Sequence, residues 1–158
     1  MPYFCAVNIG LRKGTKEDMP AVHGLIRELA EYEQAPNEVE TTPATMVEDG
    51  FGTHPVFSCL VAELDGVIVG AAVYFTKYST WKGRGIYLDD IVVTAAHRRK
   101  GIGTLLFEEL IRVAKAEGAK QLHWQVLDWN APAISFYKKY KTTFDEEWIN
   151  CKLDPRVD

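Results

Sequence analysis

Three groups of residues in this chain have types and spacings suited to chemistry. The first is Arg98-Arg99-Lys100-Gly101-Ile102-Gly103, a basic, glycine-bearing stretch between a buried-strand pattern and a long amphipathic helix pattern. A helix that starts there offers several amide N–H groups without intrahelical partners and the positive end of its dipole, which suits a phosphate or pyrophosphate. Gly101 and Gly103 would let ligand oxygens approach the backbone, because no Cβ stands in the way. The second group is Asp89-Asp90, between Leu88 and Ile91. A carboxylate there could hold an alkylammonium and take its proton. An amine of pKa about 10.4 costs roughly 4 kcal/mol to deprotonate near neutral pH. Like charges so close raise one carboxylate's pKa, which suits a base. Strict strand alternation would point the two to opposite faces, so they should not share one role; strand-end solvation is the alternative reading. The third is Tyr137, whose phenol, with an ordinary pKa of about 10, can donate to a departing group at neutral pH.

The elements that must position these groups follow from periodicity. Ala6 to Lys13 reads as a strand. Thr15-Lys-Glu-Asp18 reads as a capping box opening a helix that carries Val22, Leu25, Ile26 and Leu29 and ends near Gln34. Thr42-Pro43 opens a second helix, which stops around Gly50-Phe51-Gly52. Strands over Val56–Leu64 and Val67–Tyr78 flank Asp65-Gly66, a two-residue hairpin signal, and Gly85–Thr94 is the next strand. Ile102, Leu105, Leu106, Leu110, Val113 and Ala114 form one helical stripe, stopped by Gly118. Gln121–Leu127 reads as a strand, Asn130 caps a helix running to about Lys139, and the tail is expected to add one or two strands. This order predicts an α/β (α+β) architecture, a mixed central sheet of six to seven strands flanked by four helices.

A length of 158 residues fits one domain. Composition, 47% hydrophobic and 25% charged, is that of a globular protein, and no apolar run approaches a membrane span. Cys5, Cys59 and Cys151 give neither a disulfide framework nor a zinc spacing, so no metal and a cytoplasmic setting are expected. The net charge of −4 argues against nucleic acid as a partner. Residues 1–66 carry 11 acidic and four basic side chains, a net of −7, while the remainder carries 11 and 14, a net of +3. One half would attract cations and the other tolerate a polyanion, although a solvated acidic helix face explains the first half equally well.

Arg98-Arg-Lys-Gly101-Ile-Gly103 resembles the (Gln/Arg)-x-x-Gly-x-(Gly/Ala) motif of the GNAT acetyltransferases, and Asn130-Ala-Pro-Ala-Ile-Ser-Phe-Tyr137 resembles their Asn-x-x-(Ala/Ser)-x-x-x-Tyr segment. Within that superfamily the chain is most similar to the diamine (spermidine/spermine) and thialysine acetyltransferases. The segments that carry this are Ile26–Glu33, Glu48–Pro55, Trp81, Tyr87–Asp90 and Trp129–Pro132. The resemblance implies the GNAT fold, acetyl-CoA as cofactor and direct transfer to an amine. It implies that Arg98, Arg99, Lys100, Gly101, Ile102, Gly103 and Thr104 hold the CoA pyrophosphate, with Ile91, Val92 and Val93 pairing with the pantetheine arm. Asn130, Pro132 and Ala133 would also contact the cofactor. Tyr137 becomes the acid for the CoA thiolate, with Tyr140 as its internal control, and Asp89 the acceptor-side catalytic carboxylate. Asp90 is a second contact or a strand-end residue. Tyr32 and Glu33 match subfamily positions that touch the polyamine, Trp81 could offer an aromatic face to an alkylammonium, and His123, Trp124 and Gln125 fall on the strand where the family lines its acceptor pocket; each of these alone reads more readily as structural. His54 and His97 receive no role.

Two departures stand out. The subfamily carries glutamate where this chain has Asp89, and glycine soon after the tyrosine, where this chain reads Tyr137-Lys-Lys-Tyr-Lys-Thr-Thr-Phe144. The acceptor expected is a small cationic amine: a polyamine, a diamine or a thialysine-like amino acid. A protein amine, an aminoglycoside, or a non-catalytic acyl-CoA-binding domain are the rival readings. A homodimer is expected from the resemblance alone.

Overall fold

The computed structural model describes residues 8–157 of the chain, so Cys5, Ala6 and Val7 fall outside it. The chain divides into two compact units, the first ending at Gln125 and the second beginning at Val126. The first unit contains the whole sheet. Its elements are β1 (Ile9–Lys13), α1 (Met19–Tyr32), α2 (Pro43–Phe51), β2 (Ser58–Leu64), β3 (Val67–Ser79), β4 (Gly83–Val93), α3 (Ile102–Ala116) and β5 (Leu122–His123). The second unit contains α4 (Ala131–Tyr137).

The strands lie in the order β1-β2-β3-β4-β5, antiparallel except for the parallel pair β4-β5. Among the described residues the sheet is therefore mixed but has five strands rather than six or seven. Two expectations account for the difference. Over Gln121–Leu127 only Leu122 and His123 pair, with Ile86 and Tyr87. The tail from Thr142 to Val157 forms no strand. Its run Asp145-Glu-Glu-Trp-Ile-Asn150 brings consecutive charges where a strand would need alternation.

Local signals explain most boundaries. Asp65 and Gly66 both take positive φ, 50° and 79°, the backbone a two-residue hairpin needs to match strand twist. Helix α1 ends through Gln34 at φ 63°, with the Ala35 amide donating to Ala30 O at 2.8 Å. Helix α3 ends the same way at Gly118, with Ala119 N–H donating to Ala114 O at 2.9 Å. At the start of α2, Thr42 Oγ1 accepts from the Thr45 amide and Thr45 Oγ1 from the Thr42 amide, at 3.1 and 2.8 Å.

Helices α1 and α2 cover one sheet face, where Met19, Val22, Leu25, Met46, Cys59, Val61, Ala71, Val73 and Val92 form a core. Helix α3 covers the other with Ile102, Leu106, Phe107, Leu110, Val113 and Ala114. Phe107 takes the buried place that the sequence pattern gave to Leu105, which stays 40% exposed. Gly70 lets α3 approach β3: a Cβ there would lie 3.1 Å from Leu106 Cδ1 and 3.3 Å from Ile102 Cγ2. Burial pushes the Cys59 thiol up to about 11, so it behaves as the small apolar side chain expected.

The entry to α1 is held by charge. Asp18, almost fully buried, accepts from Arg12 Nη1 at 2.6 Å, Arg12 Nη2 at 3.0 Å and the Thr15 amide at 2.8 Å. Arg12 above all, then Thr15, outweighs the burial and holds the Asp18 carboxyl down at about 2. A depressed carboxyl stabilises the fold above the unfolded-state pKa, and that contribution is lost as pH falls through the folded value. Arg12 keeps 39% of its side chain in solvent, which screens the pair, so Asp18→Asn should cost about 1–2 kcal/mol at neutral pH. Urea melts of parent and variant should differ most above about pH 4 and converge toward pH 2.

Candidate functional site

Strand β4 does not pair evenly with β3. Val73 faces Asp90 and Tyr74 faces Leu88, so Asp89 is an extra residue in β4, a bulge. Strict alternation fails there. Val73 belongs to the α1 side of the sheet, so its partner Asp90 does too. Phe75 and Tyr87 are partners on that same side, their rings stacked at 5.2 Å. The bulge thus puts Tyr87 and Asp90 on one face although they are three residues apart, and the expectation that alternation separates the carboxylates' roles does not carry through.

The electrostatics agree. Burial, then the charge of Asp89, then that of Glu33, lifts Asp90 to about 7. Burial also raises Asp89 and Glu33 from their ordinary values. The phenol of Tyr87 is raised by burial and by both aspartates. Three carboxyl groups thereby form one acidic neighbourhood, Glu33 after α1 with Asp89 and Asp90 at the bulge, and the neutral phenol of Tyr87 stands beside them.

The parallel pairing of β4 with β5 stops at Tyr87, just before the bulge. From Leu88 to Val93 the edge of β4 away from β3 has no strand partner among the described residues. Ile91, Val92 and Val93 lie on this open edge, with the Val93 carbonyl accepting from Arg98 Nε at 3.2 Å.

After β4 the chain turns into α3 through Arg99 at φ 62° and Gly101 at φ 78°. Leu105 donates the first helical bond, to Gly101 O at 3.1 Å, leaving the Ile102, Gly103 and Thr104 amides without an intrahelical acceptor. Gly101 takes its left-handed backbone at no steric cost. At Gly103 a Cβ would meet only Val93 Cγ2, at an ordinary contact distance of 3.8 Å, so the fold itself has room for a side chain there. These open amides, the dipole of α3 and the side chains of Arg99 and Lys100 fit a polyanion such as a pyrophosphate.

Arg98 has a different occupation. Its guanidinium lies 5.2 Å from the Tyr32 ring centre and 3.8 Å from Glu28 Oε1. Glu28 also accepts from Thr94 Oγ1 at 2.9 Å and from the Ala95 amide at 2.7 Å. Helix α1 therefore grips the turn that leads to α3. Sequence reasoning missed Glu28, since an acid on an amphipathic helix reads as solvated.

The other site residues divide. His123 lies level with Tyr87, and its Nδ1 accepts from Lys77 Nζ at 3.2 Å. Trp124 is turned to the α3 face, its ring 5.3 Å from that of Phe107, so it is not brought to the acidic pair. Gln125 is exposed and closes the first unit. Trp81 is 85% exposed in the β3–β4 turn. Ser79, beside that turn, is six residue steps along β3 from Val73, which puts Trp81 ~20 Å from Asp90 within its own chain. The resemblance's grouping of Trp81 with the acceptor residues is therefore not realised inside one chain. In the second unit, Asn130 Oδ1 accepts from the Ala133 amide at 3.3 Å and so caps α4, next to Pro132. Tyr137 ends α4, 5% exposed, its ring edge-on to Phe136; Tyr140 is half-buried. With no glycine after Tyr137, Thr142 Oγ1 donates to the Tyr137 carbonyl at 2.8 Å and closes the turn. The described residues include no cluster of three metal-ligating side chains, and none of their helices is long and apolar enough to cross a membrane.

Residues 22–141 match the Acetyltransferase (GNAT) family. The chain belongs to that family. As a GNAT protein it falls in the N-acetyltransferase class, and its five-stranded mixed sheet with four α-helices is the GNAT fold. It is 36% identical over 155 residues to the thialysine N-epsilon-acetyltransferase of Mus musculus, with 91% of each chain covered. It is 40% identical over 136 residues to that of Bos taurus, covering 81% of this chain and 80% of the relative. An aminoglycoside N-acetyltransferase solved in complex with CoA shares the fold at a TM-score of 0.74 and 16% identity, over 92% of this chain and 95% of that one.

Two measurements test this geometry. Because the folded Asp90 pKa lies above its unfolded value, its contribution to stability is whole below about pH 4 and lost as pH rises through 7. Asp90→Asn should be more stable than the parent by on the order of 1–3 kcal/mol at about pH 8, with the gap closed near pH 4 in thermal melts. Glu28→Ala removes the acceptor of Thr94 and Ala95 and should cost about 1–3 kcal/mol. Amide exchange over residues 95–104 should accelerate more than in the sheet.

Proposed function

We propose that the protein is an acetyl-CoA-dependent N-acetyltransferase acting by direct transfer on the primary amine of a small cationic acceptor. The observation that carries this reading is the acidic neighbourhood at the β4 bulge, on a strand whose free edge runs toward the open amides of α3. When bound, acetyl-CoA would supply the activated acyl group. The α3 amides with Arg99 and Lys100 hold its diphosphate, and the open edge of Ile91 and Val92 aligns its arm. Arg98 serves this site by fixing the turn.

At the acceptor end, Asp89 and Glu33 attract the ammonium. Asp90, close to half-ionised at neutral pH, takes the proton that must leave before the nitrogen can attack. Tyr137 is the proton donor for the departing sulfur, which its place in the family's Asn-x-x-(Ala/Ser)-x-x-x-Tyr segment supports; Asn130, Pro132 and Ala133 complete the cofactor's side. The reading takes both units as one catalytic domain, since the family match runs through both. It includes a homodimer in a cytoplasmic setting, and a second copy would be the route by which Trp81 reaches an acceptor.

Incubation with acetyl-CoA and a panel of small amines, with released thiol as the readout, tests the reading. Turnover with diamines or diamino acids is expected. Stabilisation by CoA with no thiol released by any amine would leave a binding domain instead. Tyr137→Phe should lower kcat by roughly 10²–10⁴ while CoA affinity holds. Unchanged kcat would remove Tyr137 from the chemistry.

A further inference from the structure

The acidic end of the site has a basic counterpart on the same sheet face. Along β3 on the α1 side, Val73, Phe75 and Lys77 succeed one another, opposite Asp90, Tyr87 and Gly85 of β4. Gly85 offers no side chain across from Lys77. The lysine leans back instead, its Nζ 5.5 Å from the centre of the Tyr87 ring and donating to His123 Nδ1 at 3.2 Å. Desolvation and the Lys77 charge both lower the His123 pKa, which keeps the imidazole neutral and able to accept. No carboxylate pairs with Lys77 among the described residues, and its ammonium is exposed. A solvated lysine in a chain of net charge −4 has many acids to choose from; this one is held over an aromatic pair.

The face thus reads as three zones in a line. Carboxylates stand at one end, the Phe75–Tyr87 stack lies in the middle, and a fixed cation stands at the other. Lys77 is four residue steps along β3 from Val73, ~13 Å between backbones, and the lysine's inward lean shortens the gap between the charged ends. A polyamine spanning this face would bring a second ammonium against Lys77. A molecule with an ammonium at one end, an aliphatic or thioether stem and a carboxylate at the other meets a complementary group at each zone.

We propose that Lys77, steadied by His123 and laid along Tyr87, binds the carboxylate of an α,ω-diamino acid whose far ammonium meets the carboxylates at the β4 bulge. Lys77 is then a specificity residue favouring amino acid acceptors over diamines and polyamines, and His123 positions it. This rests on the acceptor site assigned above, but not on turnover there.

Equilibrium binding separates the two claims. Calorimetric titration of the CoA-loaded protein with L-lysine against cadaverine, and L-ornithine against putrescine, compares acceptors that differ only by the carboxylate. The parent should bind each amino acid at least about tenfold tighter than its diamine, the weight of one charge-assisted contact. Lys77→Met should erase that preference by weakening the amino acids alone, and Lys77→Arg should keep it. His123→Ala should reduce the preference part-way. Equal binding of amino acid and diamine by the parent, no binding of either, or equal weakening of both in Lys77→Met would each overturn the proposal. Preferential binding without any thiol release would remove the acetyltransferase reading and leave the carboxylate site standing. Thiol release that ignores both the carboxylate and Lys77 would do the reverse.

Discussion

Strand β4 holds one residue more than the length of β3 it faces, and that surplus sets where the rest of the site stands. A regular ladder would send Tyr87 and Asp90 to opposite faces of the sheet. With Asp89 inserted, both meet on the α1 side, and two adjacent carboxylates enter a partly desolvated region together with Glu33. The same irregularity coincides with the end of the β5 pairing, so the strand that carries the acids also carries an unpaired backbone edge. Charge repulsion and lost hydration make this arrangement costly to the fold. A cation settling among those acids relieves part of that cost.

The C-terminal end of β4, a few residues past the bulge, is arranged by different means. Close approach over Gly70 seats α3 on the sheet, and the left-handed Gly101 turns the chain so that its first amides emerge unused. Of the three cations that precede Gly101, Arg98 is absorbed into the scaffold by Glu28, Tyr32 and the Val93 carbonyl. The backbone donors and the two remaining cations are what the site can offer to an anion. A basic cluster in sequence thus divides into one strut and two exposed charges once the helix beside it is in place.

Much of the architecture was legible because it depends on neighbours in sequence. Asp65-Gly66 demanded a tight hairpin, Gly118 a helix stop, Thr42-Pro43 a helix start, and each is where the pattern put it. What was not legible depends on partners distant in the chain. The bulge exists only in the register between β3 and β4, so Leu88-Asp-Asp-Ile91 read as an ordinary strand. Glu28 acquires its role from Thr94 and Ala95, 66 and 67 residues away. Phe107, not Leu105, is buried, and its ring meets that of Trp124, 17 residues on. Lys77 left a faint trace, a charged residue following Val73 and Phe75 at alternate positions of an apolar strand, but its imidazole partner is 46 residues on.

Helix α1 has two attachments that differ in kind. Glu28, in its later half, clasps the turn that opens toward α3, while Glu33, just past its last residue, stands in the field of the bulge carboxylates. One rigid rod therefore borders both the bulge and the C-terminal end of β4. A displacement of that rod shifts the two together, so the geometry presented to an anion and the potential felt by a cation are mechanically geared and neither can be adjusted in isolation.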